Sequence, residues 1–179
     1  MIELSTARLV MRGWRESDLA PWAAMNADPD VRRYLGPLLT PGQAEAWVLN
    51  FQDDLDRRGF GFWAVEVRSP AEFIGFTGLG ILDDEVPVDG SVEIAWRLAR
   101  SAWGHGYATE AARAALDYGF GTLALPEIVA VTTAGNLRSR AVMERIGMTH
   151  DPAGDFDDPD VAAAQLRRHV VYRKQRDPR

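Results

Sequence analysis

The sequence predicts a mixed α/β (α+β) fold with a mostly antiparallel central sheet flanked by helices, and three observations carry that reading. Phe62 to Val67, Glu72 to Leu82 and Ser91 to Leu98 are apolar segments separated by acidic or Pro-containing turns, the pattern of an antiparallel meander. A run of strong helix formers, Tyr107 to Leu116, follows directly. A strand and a short helix come next, Ile128 to Thr132 and Leu137 to Ile146. The full order is strand, two helices, three strands, helix, strand, helix and C-terminal strands.

Each element has a local reason. Arg8 to Trp14 alternates Leu9, Met11 and Gly13 against Val10, Arg12 and Trp14, which suits a first strand. A helix from about Ser17 to Asn26 is broken by Asp28-Pro29-Asp30. Thr40 caps the next helix and Pro41 takes its first position. One face of that helix, with Ala44, Trp47, Val48, Phe51 and Leu55, is expected to be core. Gly59 to Gly61 turns the chain into the meander. The inward face of the third major helix is built from small residues, Ala108, Ala111, Ala112 and Ala115, which let its backbone lie close to a sheet or ligand. Gly147 stops the last long helix at its C′ position, and a final strand is expected from about Arg168 to Tyr172.

Composition narrows the function classes. A chain of 179 residues without a compositional break is expected to form one domain, residues 1–179. No apolar run approaches the roughly 20 residues that span a bilayer, and the N-terminus does not read as a secretory signal, so a cytoplasmic, membrane-free location is the expectation. With no cysteine, disulfides, thiolate zinc sites and a cysteine nucleophile are excluded. His105, His150 and His169 are too scattered for metal-ligand spacing, so no metal is expected. A net charge of −6 argues against nucleic-acid binding. The acidic runs Asp83-Asp84-Glu85 and Asp151 to Asp160 read as solvated loops, or as attractants for a cationic amine. The oligomeric state is not readable from the sequence; homodimers are the commonest assembly in general.

Trp103-Gly104-His105-Gly106-Tyr107-Ala108 places two glycines between a strand and a helix start. The first turn of a helix offers unpaired N–H groups and the positive end of its dipole, so the loop reads either as a diphosphate site or as a glycine-rich helix cap. A P-loop needs Gly-Lys-Ser/Thr, and Gly106 is followed by Tyr107-Ala108. A dinucleotide fingerprint wants a third glycine where Thr109 stands, and a parallel βαβ unit where the meander stands.

Taken together, these segments resemble a known family. Thr6-Ala7-Arg8-Leu9 with Arg12, Val92-Glu93-Ile94-Ala95-Trp96-Arg97-Leu98, Trp103 to Ala111, Asn136-Leu137-Arg138-Ser139, Glu144 to Met148 and Arg168 to Tyr172 look like the successive motifs of GNAT N-acetyltransferases. The branch resembled is that of the ribosomal-protein N-terminal acetyltransferases. The resemblance implies a sheet of six or seven strands with about four helices, splayed at the cofactor site. It also implies acetyl-CoA as co-substrate. Its pantetheine arm would pair with Trp96, Arg97 and Leu98, and its diphosphate would lie on Gly104, His105, Gly106, Tyr107, Ala108 and Thr109. The family's loop often opens with Gln or Arg where this chain has Trp103, which removes a polar side-chain contact and leaves the backbone amides to cradle the diphosphate.

An amine is mostly protonated at neutral pH, so attack on a thioester needs a group that removes a proton, directly or through water. Glu93 sits in an apolar strand on the face of Ala95 and Arg97, where burial would raise its pKa toward neutrality. The residues alone favour an exposed carboxylate or an ion pair with Arg97 over a base, and the resemblance, with a carboxylate at this position, turns the reading to the base. The resemblance further implies that Asn136 contacts the cofactor arm and that Ser139 lies near the sulfur, where it assists the departing thiolate. Asn136 also suits helix capping, and the two roles coexist. Arg138, Arg140 and Arg145 are candidates for the 3′-phosphate. Trp14, Trp22, Trp47, Trp63 and Tyr34 line an acceptor pocket or, more simply, fill the core, while Tyr118 and Phe120 pack on the sheet.

The function expected is direct acetyl transfer to a primary amine, a protein N-terminus or a small molecule. The alternatives are a GNAT-like module that senses acyl-CoA without turnover and a domain whose glycine loop only caps a helix.

Overall fold

The computed structural model describes residues 2–82 and 90–177, so the acidic run Asp83-Asp84-Glu85 lies outside the described residues. Two strands, β1 (Leu4–Ser5) and β2 (Leu9–Arg12), precede three helices, α1 (Glu16–Asn26), α2 (Pro29–Arg32) and α3 (Pro41–Arg58). The meander is β3 (Phe62–Val67), β4 (Glu72–Ile81) and β5 (Val92–Leu98). Helix α4 (Tyr107–Gly121), strand β6 (Glu127–Thr133) and helix α5 (Leu137–Arg145) follow. The C-terminal part holds β7 (Thr149–His150), β8 (Phe156–Asp157), α6 (Ala164–Arg167) and β9 (Arg168–Gln175).

All strands join one nine-stranded sheet in the order β1-β2-β3-β4-β5-β6-β9-β7, with β8 also paired to β9. Every pairing is antiparallel except β5 with β6. The six or seven strands and about four helices expected are the long elements; β1, β7 and β8 add two residues each, and α2 and α6 four each. Asp28-Pro29-Asp30 does more than end α1: the Asp28 carboxylate accepts the Asp30 N–H at 2.8 Å and caps α2.

Two layers cover the sheet. On one face α4 packs against β4 and β5 with Ala111, Ala112 and Ala115 fully buried, because methyl side chains let its backbone come close. The same side buries Trp63, which meets Tyr118 edge-on at 5.6 Å. On the other face α1 and α3 enclose Trp22, Val48 and Phe76. The Trp22 indole N–H donates to the Ala44 carbonyl at 2.8 Å and ties α1 to α3. Removing such a ring costs about 3–5 kcal/mol. Arg12, 4% exposed, is balanced by Asp18 and Glu66, each at 2.7 Å, so this buried cation has its countercharge.

Helix α3 forms as its sequence directs. Thr40 and Gln43 make a reciprocal capping box, Pro41 occupies the first turn, and Gly59 ends the helix at φ +73°. Its expected core face needs one correction. Ala44, Val48 and Leu55 are buried and Phe51 is half-buried, but Trp47 keeps 36% of its surface exposed, and its ring lies over two arginines instead of entering the core. No helix among the described residues is long and apolar enough to cross a membrane.

Candidate active site

Strands β5 and β6 share one parallel bridge, Glu93 to Val129, and their ladder goes no further. Both ends of β5 hydrogen-bond to the β4 side: Leu82 N–H donates to Ser91 O at 2.9 Å and Ala99 N–H to Ile74 O at 2.8 Å. Peptide groups alternate along a strand, so those of Trp96 and Leu98 face the other way, into the gap that opens toward the C-terminal ends of β5 and β6. The Leu98 carbonyl accepts the Trp103 indole N–H at 2.9 Å. The Trp96 peptide and the Leu98 N–H are thus directed at the opening. Arg97 differs from its neighbours, since its peptide pairs with Phe76 of β4 and its side chain lies on the α1–α3 face. It does not share the backbone role expected for Trp96 to Leu98.

Because β5 and β6 are parallel, the loops that leave them flank the same end of this gap. After β5, Gly104 and Gly106 adopt φ +82° and +80°, a region that favours glycine, and Gly106 is the N-cap of α4 without a side-chain cap. The first intrahelical bond is Glu110 N–H to Gly106 O at 3.0 Å. The N–H groups of Gly106, Tyr107, Ala108 and Thr109 are therefore the orphan donors of the helix start, at its positive end. His105 is exposed and stacks on half-buried Tyr107.

A brace holds this loop in place. The Glu110 carboxylate accepts from Thr6 Oγ1 at 2.6 Å, Arg8 N–H at 3.0 Å and Arg8 Nε at 2.7 Å, while Arg8 Nη1 donates to the His105 carbonyl at 3.0 Å. Partial burial pushes the Glu110 carboxyl up, but the hydrogen bonds from Thr6 and Arg8 and the Arg8 charge bring it below its ordinary value. Thr6 and Arg8 stand out in the sequence as motif residues, but Glu110, 104 residues from Thr6, becomes their partner only through the fold.

After β6, Asn136 caps α5 by accepting the Ser139 N–H at 3.3 Å, and its amide donates to Thr132 Oγ1 at 3.1 Å and Ser139 Oγ at 3.3 Å. Ser139 Oγ acts as acceptor in that bond, so its own proton remains to be donated. Of the three arginine candidates, Arg140 bonds the Tyr172 hydroxyl and the Ala134 carbonyl, and Arg145 is in the last turn, where its carbonyl accepts from Arg113. Arg138 is exposed and lies over the Trp103 ring at 4.3 Å, beside the glycine loop.

Glu93 is half-buried where β5 and β6 still touch, on the face of Ala95 and Arg97. That face belongs to α1 and α3. Trp14, Trp22 and Trp63 pack into the core clusters, and Tyr34 lies near Gly135, where an added Cβ would meet its ring at 3.5 Å. The acidic run Asp151 to Asp160 is partly engaged: Asp151 pairs with Arg173 at 2.6 Å and Asp155 with His150 at 3.0 Å, so these carboxylates brace the β9 edge.

The sequence did not disclose a cationic pair on the α1–α3 side of the sheet. Arg97 Nη1 donates to Asn26 Oδ1 at 2.7 Å, and Arg32 donates to the carbonyls of Pro37 at 2.9 Å and Leu35 at 2.8 Å. Trp47 stands over both guanidiniums, at 4.9 Å from Arg97 and 5.9 Å from Arg32. Burial, and then the like charge of Arg32, lower the Arg97 guanidinium to about 9. Burial lowers Arg32 as well. Adjacent Arg32-Arg33 gave no sequence signal, because the two point to opposite environments only once α2 docks: Arg32 is buried and Arg33 exposed.

A family model described as an acetyltransferase (GNAT) domain matches residues 8–149. The Bacillus subtilis protein YkkB is 35% identical over 147 residues, covering 82% of this chain and 84% of its own length. The crystal structure of an acetyltransferase from Agrobacterium tumefaciens superposes with a TM-score of 0.82 at 28% identity, over 98% of this chain and 95% of that one. RimL, a ribosomal L7/L12 alpha-N-protein acetyltransferase in complex with coenzyme A, superposes with a TM-score of 0.77 over 97% of this chain and 98% of that one. At 14% identity that likeness concerns the fold alone.

Proposed function

The chain belongs to the GNAT acetyltransferase family, and we propose that, as a single domain, it moves the acetyl group of acetyl-CoA directly onto a primary amine at the gap between β5 and β6. The observation that carries this reading is the gap itself: open strand peptides at Trp96 and Leu98, with the uncapped start of α4 on one flank and Asn136 with Ser139 on the other. The residues present fit the co-substrate. Orphan N–H groups from Gly106 to Thr109 suit a diphosphate, the strand peptides suit an amide-containing arm, and Arg138 suits a terminal phosphate.

In the chemical step Glu93 takes a proton from the acceptor ammonium, directly or through water, so that the nitrogen lone pair is free to attack the thioester carbonyl carbon. The C–N bond forms, and a strand N–H facing the gap stabilises the oxyanion. As the C–S bond breaks, Ser139 donates its hydroxyl proton to the departing thiolate and recovers a proton, directly or through water, from the acylated nitrogen, which thereby becomes the neutral amide. No covalent bond to the protein forms at any point, in keeping with a chain that has no cysteine.

The experiment is free-thiol release from acetyl-CoA across a panel of peptides and small amines, alongside thermal stabilisation by acetyl-CoA. Acceptor-dependent thiol release supports transfer. Stabilisation without acetylation of any acceptor would instead favour the sensing module.

A further inference from the structure

We propose that Arg97 and Arg32 form an anion-binding subsite on the acceptor side of the sheet, and that the acceptor is an amine that also carries a carboxylate. The assignment rests on the acetyl-transfer reading above and names the substrate class of that site.

Both arginines are buried, with Arg97 9% and Arg32 4% exposed, and among the described residues no carboxylate comes within ion-pair distance of either. Arg12 shows how this chain treats a buried cation whose role is purely structural, since Asp18 and Glu66 supply its countercharge. Among the described residues, Arg97 and Arg32 meet neutral oxygens, from Asn26, Leu35 and Pro37. Two like charges buried near each other without a countercharge are costly, and the cost is removed when an anion binds between them.

Each guanidinium keeps one buried nitrogen without a hydrogen-bond partner, Nε of Arg97 and Nη1 of Arg32. Two such donors, on guanidiniums that share the Trp47 ring, equal in number the two oxygens of one carboxylate. The surrounding rings of Trp22, Trp47 and Phe76 make the site apolar, which disfavours a dianionic phosphate that must shed more water.

Position links the subsite to the reaction. Arg97 stands four residues after Glu93 on the same face of β5, about 13 Å along the strand. On the far side of α2, Tyr34 reaches the loop that carries Asn136, so the Arg32 segment borders the cofactor gap. Trp47, 36% exposed, stands over both guanidiniums, so it is the ring an incoming carboxylate would have to move aside.

The test compares matched acceptors that differ only in charge, namely glycine with glycinamide, β-alanine with its amide and γ-aminobutyrate with its amide, with O-phosphoethanolamine as the phosphate arm. The proposal expects at least one acid to exceed its amide by about 30-fold or more in kcat/KM. That preference should fall toward unity in Arg97→Met and Arg32→Met and be partly kept in Arg97→Lys. Should a methionine variant fail to fold, Trp47→Ala, which keeps both guanidiniums but lets water screen them, should weaken the preference while keeping the fold. Equal or better turnover of every amide overturns the proposal and leaves acetyl transfer standing, and preference for the phosphate overturns the carboxylate assignment. If no acceptor is acetylated, acetyl transfer itself fails. The subsite is then read from thermal shifts, where stabilisation by N-acetylated acids over their amides, reduced in Arg97→Lys/Arg32→Lys and abolished in Arg97→Met or Arg32→Met, supports it and its absence overturns it.

Discussion

The guanidinium of Arg138 lies 4.3 Å from the centroid of the Trp103 ring, so the first turn of α5 rests against the loop that opens α4. Trp103 stands where the family often has a polar residue, and its indole N–H holds the Leu98 carbonyl at 2.9 Å. The ring therefore joins the end of β5 to α5 and places a cation beside the gap. Arg138→Ala should raise the Kd of acetyl-CoA about 10- to 150-fold, the worth of one charge-assisted hydrogen bond, and change that of 3′-dephospho-CoA little. Calorimetric titration of both ligands checks this, and equal losses would remove Arg138 from the 3′-phosphate.

Glu93→Gln should keep the fold and acetyl-CoA binding and lower kcat by about 10²- to 10⁴-fold, the usual loss for a positioned base. Unchanged turnover would remove Glu93 from the chemistry.

Ser139→Ala and Asn136→Ala should separate chemistry from capping. Without the Ser139 hydroxyl, kcat should fall about 10-fold with the KM for acetyl-CoA nearly unchanged. Losing Asn136 removes a cap and both amide hydrogen bonds, so stability should drop by about 1 kcal/mol and KM should rise as well. Chemical denaturation and steady-state kinetics on the same preparations distinguish the two.

Glu110 gives a pH signature. Its folded pKa lies below its unfolded value of 4.5. Its contribution is therefore complete above that value and is lost as pH falls through the folded pKa. Glu110→Gln should be less stable than the parent by about 1–3 kcal/mol at pH 7, since it loses charge-assisted bonds to Thr6 and Arg8. The gap should narrow below pH 4. Urea titrations at pH 7 and pH 3.5 measure both, and a gap independent of pH would contradict the ion-pair account.

What could be read from the sequence followed periodicity and local chemistry. The capping box of Thr40 and Gln43, the alanine face of α4 and the alternation that sets Glu93 beside Ala95 and Arg97 are each encoded within a few residues. Two-residue strands such as β7 and β8 have no period to read, and they exist because β9 offers them an edge. The site divided along the same line. The glycine loop and the Asn136–Ser139 turn are local motifs, whereas the bracing of Glu110 by Thr6 and Arg8, the exposure of Trp47 and the pairing of Arg32 with Arg97 arise only when distant segments pack.

The central claim is that acetyl-CoA occupies the gap between β5 and β6. Amide hydrogen exchange, resolved by residue with and without acetyl-CoA, tests it most directly. The account predicts new protection at Trp96 and Leu98 together with Gly106 to Thr109, and little change along β2 and β3. Binding of acetyl-CoA that leaves those amides unprotected, or protects a different surface, would contradict it.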